Sequence, residues 1–270
     1  MGDGVTLNQL AAEVRGKVIE ISSRAQIPHL GSALSCVDIL VALHWETMKI
    51  DPENPQKEDR DYFILSKGHS ALAYYVTLAQ RGFFSLDVLN HFGEPACLLE
   101  EHPSPGCAPG VELGTGSLGH GLSVGLGLAQ GMRFRGTGNS VFVLMSDGEC
   151  NEGSVWEAAL FAPAKKITNI TAIIDFNKWQ ATDRSEEVMA LNPLVDKWRS
   201  FGWDAVEVDG HSMSELLMAL NRPREDKPRM IIAHTVKGKG VSFMEDDNNW
   251  HYRIPTAAEV QCAHKELGVL

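Results

Sequence analysis

At 270 residues the chain is long enough to bury a large core as a single α/β domain, and 44% hydrophobic with 22% charged residues is the balance of a globular protein in water. A formal net charge of −11 speaks against nucleic acid or an anionic membrane surface as partner, although a local metal ion or helix terminus can still hold an anionic cofactor. Cys36, Cys97, Cys107, Cys150 and Cys262 form no C-x-x-C pair, no apolar run approaches the roughly 20 residues of a membrane span, and no signal peptide is visible, so free thiols and a cytoplasmic setting are expected.

Leu10, Val14, Val18 and Ile21 recur at helical spacing and predict a helix over residues 6–22. A loop holding His29 follows, then a helix from Asp38 to Met48, stopped by Asp51-Pro52-Glu53-Asn54-Pro55. Tyr62 to Leu65 reads as a short strand and Gly68 to Gln80 as a helix. The stretch from Gly93 to Gly116 carries prolines at 95, 103, 105 and 109 and little periodicity. Loops that long inside a compact domain are usually functional. Residues 119–134 keep Leu118, Leu122, Leu126 and Ala129 at helical spacing, yet glycine stands at 119, 121, 125, 127 and 131. Each helical glycine costs about 1 kcal/mol relative to alanine. The helix is therefore expected to press its backbone against another element or subunit.

The centre of the chain is Val141 to Thr182. It predicts a buried strand, a turn holding Asp147 and Gly148, a helix and a second buried strand running into Asn177. Val155, Ala158, Ala159 and Ala162 mark the helix and Pro163 closes it. A βαβ unit brings both strand ends to one edge, where open α/β sheets bind ligands. There Asp147 offers a carboxylate, Asn177 an amide oxygen and Trp179 a main-chain carbonyl, a set that suits Mg²⁺ completed by water and phosphate. Gly148 lets a phosphate approach the backbone, and the helix starting near Asn151 offers unpaired N–H groups. Asp and Asn also favour turns after strands for their own sake, so spacing alone leaves both readings open.

Beyond this unit come a helix at 193–201, a strand at 203–208, a helix at 212–221 and a strand at 229–234. A basic K-G-K-G loop holds Lys237 and Lys239, which could help hold a diphosphate or substrate phosphate but are read as solvated charges, and a last helix covers 256–267. The alternation predicts one α/β domain: a doubly wound, mainly parallel sheet with helices on both faces.

S-D-G-E-C-N-E-G, followed about thirty residues later by D-F-N-K-W, resembles the thiamin diphosphate motif of the transketolase family. Further matches stand in order: P-H-L-G-S-A-L-S at 28–35, L-S-K-G-H-S at 65–70, H-P at 102–103, G-T-G-S-L-G at 114–119 and W-H at 250–251. The resemblance implies thiamin diphosphate with Mg²⁺ (or Ca²⁺ or Mn²⁺) held by Asp147, Asn177 and the Trp179 carbonyl. It implies that His29, His102 and His251 meet substrate oxygens and that His69 lies on the thiazolium and diphosphate side. Gly114, Gly116 and Leu118 would sit by the coenzyme ring, and Glu152 would face the partner's glutamate at a subunit interface. Imidazoles suit this work because they donate to a developing oxyanion and move protons near neutral pH.

The family's pattern is departed from at Ser146 (usually glycine), Pro28, His120 (often glutamine) and Tyr252 (usually glycine). The match covers only the diphosphate-binding part of a full transketolase. Residues 1–270 are therefore expected to form that domain alone, with the pyrimidine-binding and C-terminal domains and the activating glutamate on a second chain, two copies of each. The implied reaction moves a two-carbon ketol unit from a ketose phosphate to an aldehyde. A deoxyxylulose phosphate synthase or 2-oxoacid dehydrogenase half would share the metal motif, and a non-catalytic cofactor-binding subunit is the remaining rival.

Overall fold

The structure, a computed structural model, describes residues 6–223 and 225–269. Five strands, β1 (Tyr62–Leu65), β2 (Val141–Ser146), β3 (Ile170–Phe176), β4 (Asp204–Asp209) and β5 (Arg229–His234), form one sheet in the order β1-β2-β3-β5-β4, every neighbour parallel. The helices in chain order are α1 (Leu7–Ala25), α2 (Leu30–Ser35), α3 (Val37–Ala42), α4 (Ala71–Arg81) and α5 (Gly121–Arg135), then α6 (Gly153–Ala164), α7 (Ser185–Met189), α8 (Leu194–Ser200), α9 (Met213–Asn221) and α10 (Ala257–Leu267). This is the doubly wound α/β sheet that the alternation predicts.

Every residue of β2 and β3 is buried, which requires cover on both faces. Phe142 and Leu144 of β2 join the apolar layer under α1, α3, α4 and α9, while Val141, Val143 and Met145 join the layer under α5, α6 and α8. The period-2 alternation of side chains thus feeds two cores from one strand. Each fully buried Val, Leu or Ile contributes about 1.5–3 kcal/mol. The edge strand β4 is only partly covered.

Val155, Ala158, Ala159 and Ala162 are the buried positions of α6, as their spacing predicts. The region around His29 differs. His29 occupies a single left-handed residue (φ 67), and α2 begins at once with all six of its residues buried. A helix wrapped on every side has no amphipathic signature, so periodicity fails to reveal it. The expected helix at 38–48 is α3 followed by a turn of π-helix, Leu43–Thr47.

The glycine-rich helix α5 splits into two faces. A methyl group on Gly121 would overlap Ser66, and one on Gly125 would stand 2.6 Å from Val143 Cγ2, so these two press on the sheet. Gly127 and Gly131 have nothing within 4 Å of an added methyl and face outward.

Candidate active site

β2 and β3 lie side by side with Ser146 opposite Asp175, so the residues just past their C-terminal ends emerge together. Asp147 heads the turn 148–151, its Oδ1 accepting from the Gly148 N–H at 2.9 Å. Its Oδ2 accepts from the Lys178 N–H at 3.0 Å and from Ser185 Oγ at 2.7 Å. Asp147 is fully buried, and burial pushes its carboxyl up to about 6. Asn177 Oδ1 accepts from the Trp179 N–H at 3.1 Å, while its Nδ2 donates to Ser35 Oγ at 3.3 Å. Lys178 between them is left-handed (φ 70), a strained conformation for a residue with a side chain, and it reverses the chain as it leaves the strand.

These ends open into a cleft of about 350 Å³. Asp147, Gly148, Asn177 and Trp179 line it from the ends of β2 and β3, Gly116, Leu118 and Glu152 from the glycine loop and the start of α6, and His29, His69, His102 and His251 also line it. The histidine rings lie close together: His29 is 5.6 Å from His69, 6.1 Å from His102 and 5.0 Å from His251, centroid to centroid. Four distant segments bring them there. His69 sits in the tight turn after β1, where Gly68 is needed because a methyl would lie 2.8 Å from the Thr115 main chain. His102 lies in the proline-rich loop, tied down by the Thr115 N–H donating to the Pro103 carbonyl. His251 ends a short turn anchored by the fully buried Trp250, and its carbonyl accepts from the His29 N–H at 2.7 Å.

Every residue singled out from the sequence as a site candidate lines this cleft except Gly114, which turns toward Pro105. Lys237 overturns the expectation of a solvated charge. It is fully buried, its Nζ donating to Asn248 Oδ1 at 2.6 Å and to His251 Nδ1 at 3.1 Å. Burial, with Lys67 nearby, brings its ammonium down to about 8. Lys239 stays at the surface, paired with Glu245 at 3.1 Å. Burial and the Lys237 charge also hold His251 neutral, down to about 3. His69 is held well below its usual range, again chiefly by burial.

Three buried charges escape a reading of the sequence although they stand inside its motifs. Lys67 donates to the Ser32 carbonyl at 2.9 Å and to Asp175, which also accepts from Ser35 Oγ at 2.6 Å and from Thr235. Glu149 accepts from the Ser146 N–H at 2.7 Å, from the Gly119 N–H at 3.0 Å and from Ser66. It ties the Gly114–Gly119 loop to the ends of β1 and β2. It also accounts for Ser146: the hydroxyl there donates to Glu149 at 3.2 Å.

The donor set fits the group that the motif implies. Asp147 is a buried carboxylate whose hydrogen-bond partners are all neutral, so its charge fits a cation ligand. Gly148 leaves room beside it, since an added methyl would meet only the Gln180 side chain at 3.5 Å. Among the described residues no three His, Cys, Asp or Glu side chains converge on a metal position. One carboxylate, one amide and a main-chain carbonyl leave a small hard cation to complete its shell with water and phosphate, as Mg²⁺ does.

A parallel sheet with Asp147, Gly148 and Asn177 at the C-terminal ends of β2 and β3, and four histidines around the cleft they open into, is the architecture of a thiamin diphosphate-binding domain. Residues 7–270 match the family described as "Transketolase, thiamine diphosphate binding domain". The chain is 40% identical to an apulose-4-phosphate transketolase subunit of Phocaeicola vulgatus, over 97% of this chain and 94% of that one. It is 37% identical to a 6-deoxy-6-sulfo-D-fructose transketolase subunit of a Clostridium species, over 89% and 88%. The transketolase structure from Campylobacter jejuni superposes with a TM-score of 0.92 at 25% identity, covering 98% of this chain but 43% of that longer one. The chain belongs to the transketolase family, as a thiamin diphosphate-dependent transferase subunit.

Proposed function

We propose that this chain is the diphosphate-binding half of a split transketolase, a single domain that works with a second polypeptide carrying the pyrimidine-binding domain and its activating glutamate. The complex moves a two-carbon ketol unit from a ketose phosphate to an aldehyde acceptor. The observation that carries the reading is the convergence of Asp147, Asn177 and the four histidines on one cleft. Magnesium is held by Asp147, Asn177 and the Trp179 carbonyl, and Gly148 gives the diphosphate access to the backbone. Gly116 and Leu118, with Gly114 shaping their loop from behind, flank the coenzyme ring, and Glu152 faces the partner subunit. Bound thiamin diphosphate supplies the carbanion and electron-sink chemistry. The chain's own residues orient the sugar, hold its oxygens and carry protons: His102, His251 and His29 toward the substrate, His69 toward the coenzyme.

Both relatives are named as subunits, which supports a heteromer, and two copies of each chain in the cytoplasm is the assembly proposed. Among the described residues no helix is long and apolar enough to cross a membrane. Mixing the chain with its partner and assaying ketol transfer from hydroxypyruvate against pyruvate tests the reading. Transfer from hydroxypyruvate by the mixture but by neither chain alone is expected. Full activity of the lone chain, or a preference for pyruvate, would overturn it.

A further inference from the structure

The four site histidines do not share one environment, and the difference assigns them different work. His251 Nδ1 lies 3.1 Å from Lys237 Nζ. An ammonium only donates, so Nδ1 accepts and the single proton of a neutral His251 ring sits on Nε2. His29 is the reverse case. Its Nδ1 is buried without an aligned hydrogen bond, yet lies 3.3 Å from Glu101 Oε1. Among the described residues it is the only one of the four with a carboxylate within 4.0 Å. Glu101 stands immediately before the H-P motif that supplies His102, and its side chain is 40% exposed.

We propose that Glu101 is a positioning residue that holds His29 with its proton on Nδ1, making His29 Nε2 the base for the substrate hydroxyl and leaving His251 as a fixed Nε2–H donor. The assignment rests on the transketolase reading. A carboxylate behind an imidazole fixes its tautomer and stabilises the imidazolium that forms when the far nitrogen takes a proton. Contacts of this kind are often loose before substrate binds and tighten afterwards.

The proton balance is closed. The donor hydroxyl next to the breaking carbon–carbon bond gives its proton to His29 Nε2 and its oxygen becomes the carbonyl of the departing aldehyde; thiamin diphosphate, when bound, would supply the sink for the bond's electron pair. When the new carbon–carbon bond forms, the same proton returns from His29 to the acceptor's aldehyde oxygen, and no proton is consumed. The charged and titratable groups facing His29 are Glu101, His69, His102, His251, Lys237 and, 6.2 Å away ring to ring, Tyr252. Burial lowers the His29 pKa, His102 and Lys237 lower it further, and Glu101 opposes them.

The test uses the assembled complex with ¹⁵N-histidine in this chain only. Nitrogen chemical shifts should report His29 protonated at Nδ1 and His251 at Nε2. Glu101→Gln should move the acid limb of the kcat/KM profile about one unit toward lower pH, because the opposing charge is gone, and should lower kcat about tenfold. His29→Asn should abolish that limb. A profile for Glu101→Gln that coincides with the parent's, or a His29 ring protonated at Nε2, would overturn the proposal. A parent complex without ketol transfer strikes at the transketolase reading instead, while the nitrogen shifts still decide the tautomers.

Discussion

On one side of the cleft, the ends of β2 and β3 are packed and internally satisfied. Asp147, Asp175, Asn177 and Lys67 are all buried, and each is hydrogen-bonded within the chain. On the other side, Leu118 is 37% exposed, Glu152 lies open, and Thr115 Oγ1 has no hydrogen-bond partner. The openness continues along α5 and α6, where Val124, Phe134, Leu160 and Phe161 face outward beside Gly127 and Gly131. One wall of the cleft is complete in this chain, and the other has the composition of a surface that another polypeptide covers. The contrast supports the proposal of a site shared between two chains.

The largest effect that sharpens the contrast is on coenzyme binding. Losing an outer partner of a metal ligand costs about 10–100-fold in affinity, so losing a direct ligand should cost more. Calorimetry on the assembled complex with magnesium and thiamin diphosphate should show no binding to Asp147→Ala. Glu152→Ala, on the open wall, should leave the stability of the fold within about 0.5 kcal/mol of the parent while lowering ketol transfer. Equal coenzyme binding by Asp147→Ala and the parent would remove the basis for the metal site.

Next comes the support beneath the finished wall. Asp175→Ala leaves Lys67 buried without its hydrogen-bonded carboxylate, and breaking a buried pair in this way costs about 3–5 kcal/mol. Urea unfolding of the variant should show the loss at any pH near neutrality. A change under about 1 kcal/mol would mean that Ser32 and the surrounding dipoles hold the ammonium without help.

Acid should act on another buried group, away from the cleft, in the turn of π-helix after α3. His44 is fully buried, its Nδ1–H donating to the Leu40 carbonyl at 2.8 Å, and burial brings its pKa down to about 4. The unfolded chain binds this proton below about 6.5 and the folded chain does not, so stability is present above that value and drains away as pH falls toward 4. Integrated over that window the loss is about 3 kcal/mol. His44→Asn, which keeps a donor near the Leu40 carbonyl, should reduce proton uptake on unfolding at pH 5 by about one.

What the sequence reveals follows the same division. Strands buried on both faces announce themselves as apolar runs, and turns follow them at fixed offsets, so the meeting of Asp147 and Asn177 at one edge is legible from spacing, while the gathering of the histidines is legible only from the motifs around them. Lys67 and Lys237 are not, because a lysine's letter does not say whether its stem runs into solvent or into the core. Glu149 is hidden for the same reason, and its partner Ser146 looks like a departure from the family pattern when it is half of a hydrogen-bonded pair. α2 escapes notice because total burial erases the periodicity that betrays a surface helix.

The smallest effects lie along α5, where the two walls meet in one helix. Gly125→Ala places a methyl 2.6 Å from Val143 Cγ2, against a strand that has no room to yield, so overpacking should cost about 1–3 kcal/mol. Gly127→Ala, two residues on, meets nothing within 4 Å and removes only the glycine's excess entropy, so the chain alone should gain about 0.5–1 kcal/mol. A helix that forgoes this gain on its exposed face while keeping apolar neighbours there is shaped for close backbone approach by something outside the chain. Gly127→Ala should therefore raise the melting temperature of the isolated chain and weaken its association with the partner, measured by sedimentation. A variant that gains stability and assembles as well as the parent would show that the outward glycines serve no interface, and the open wall would need another explanation.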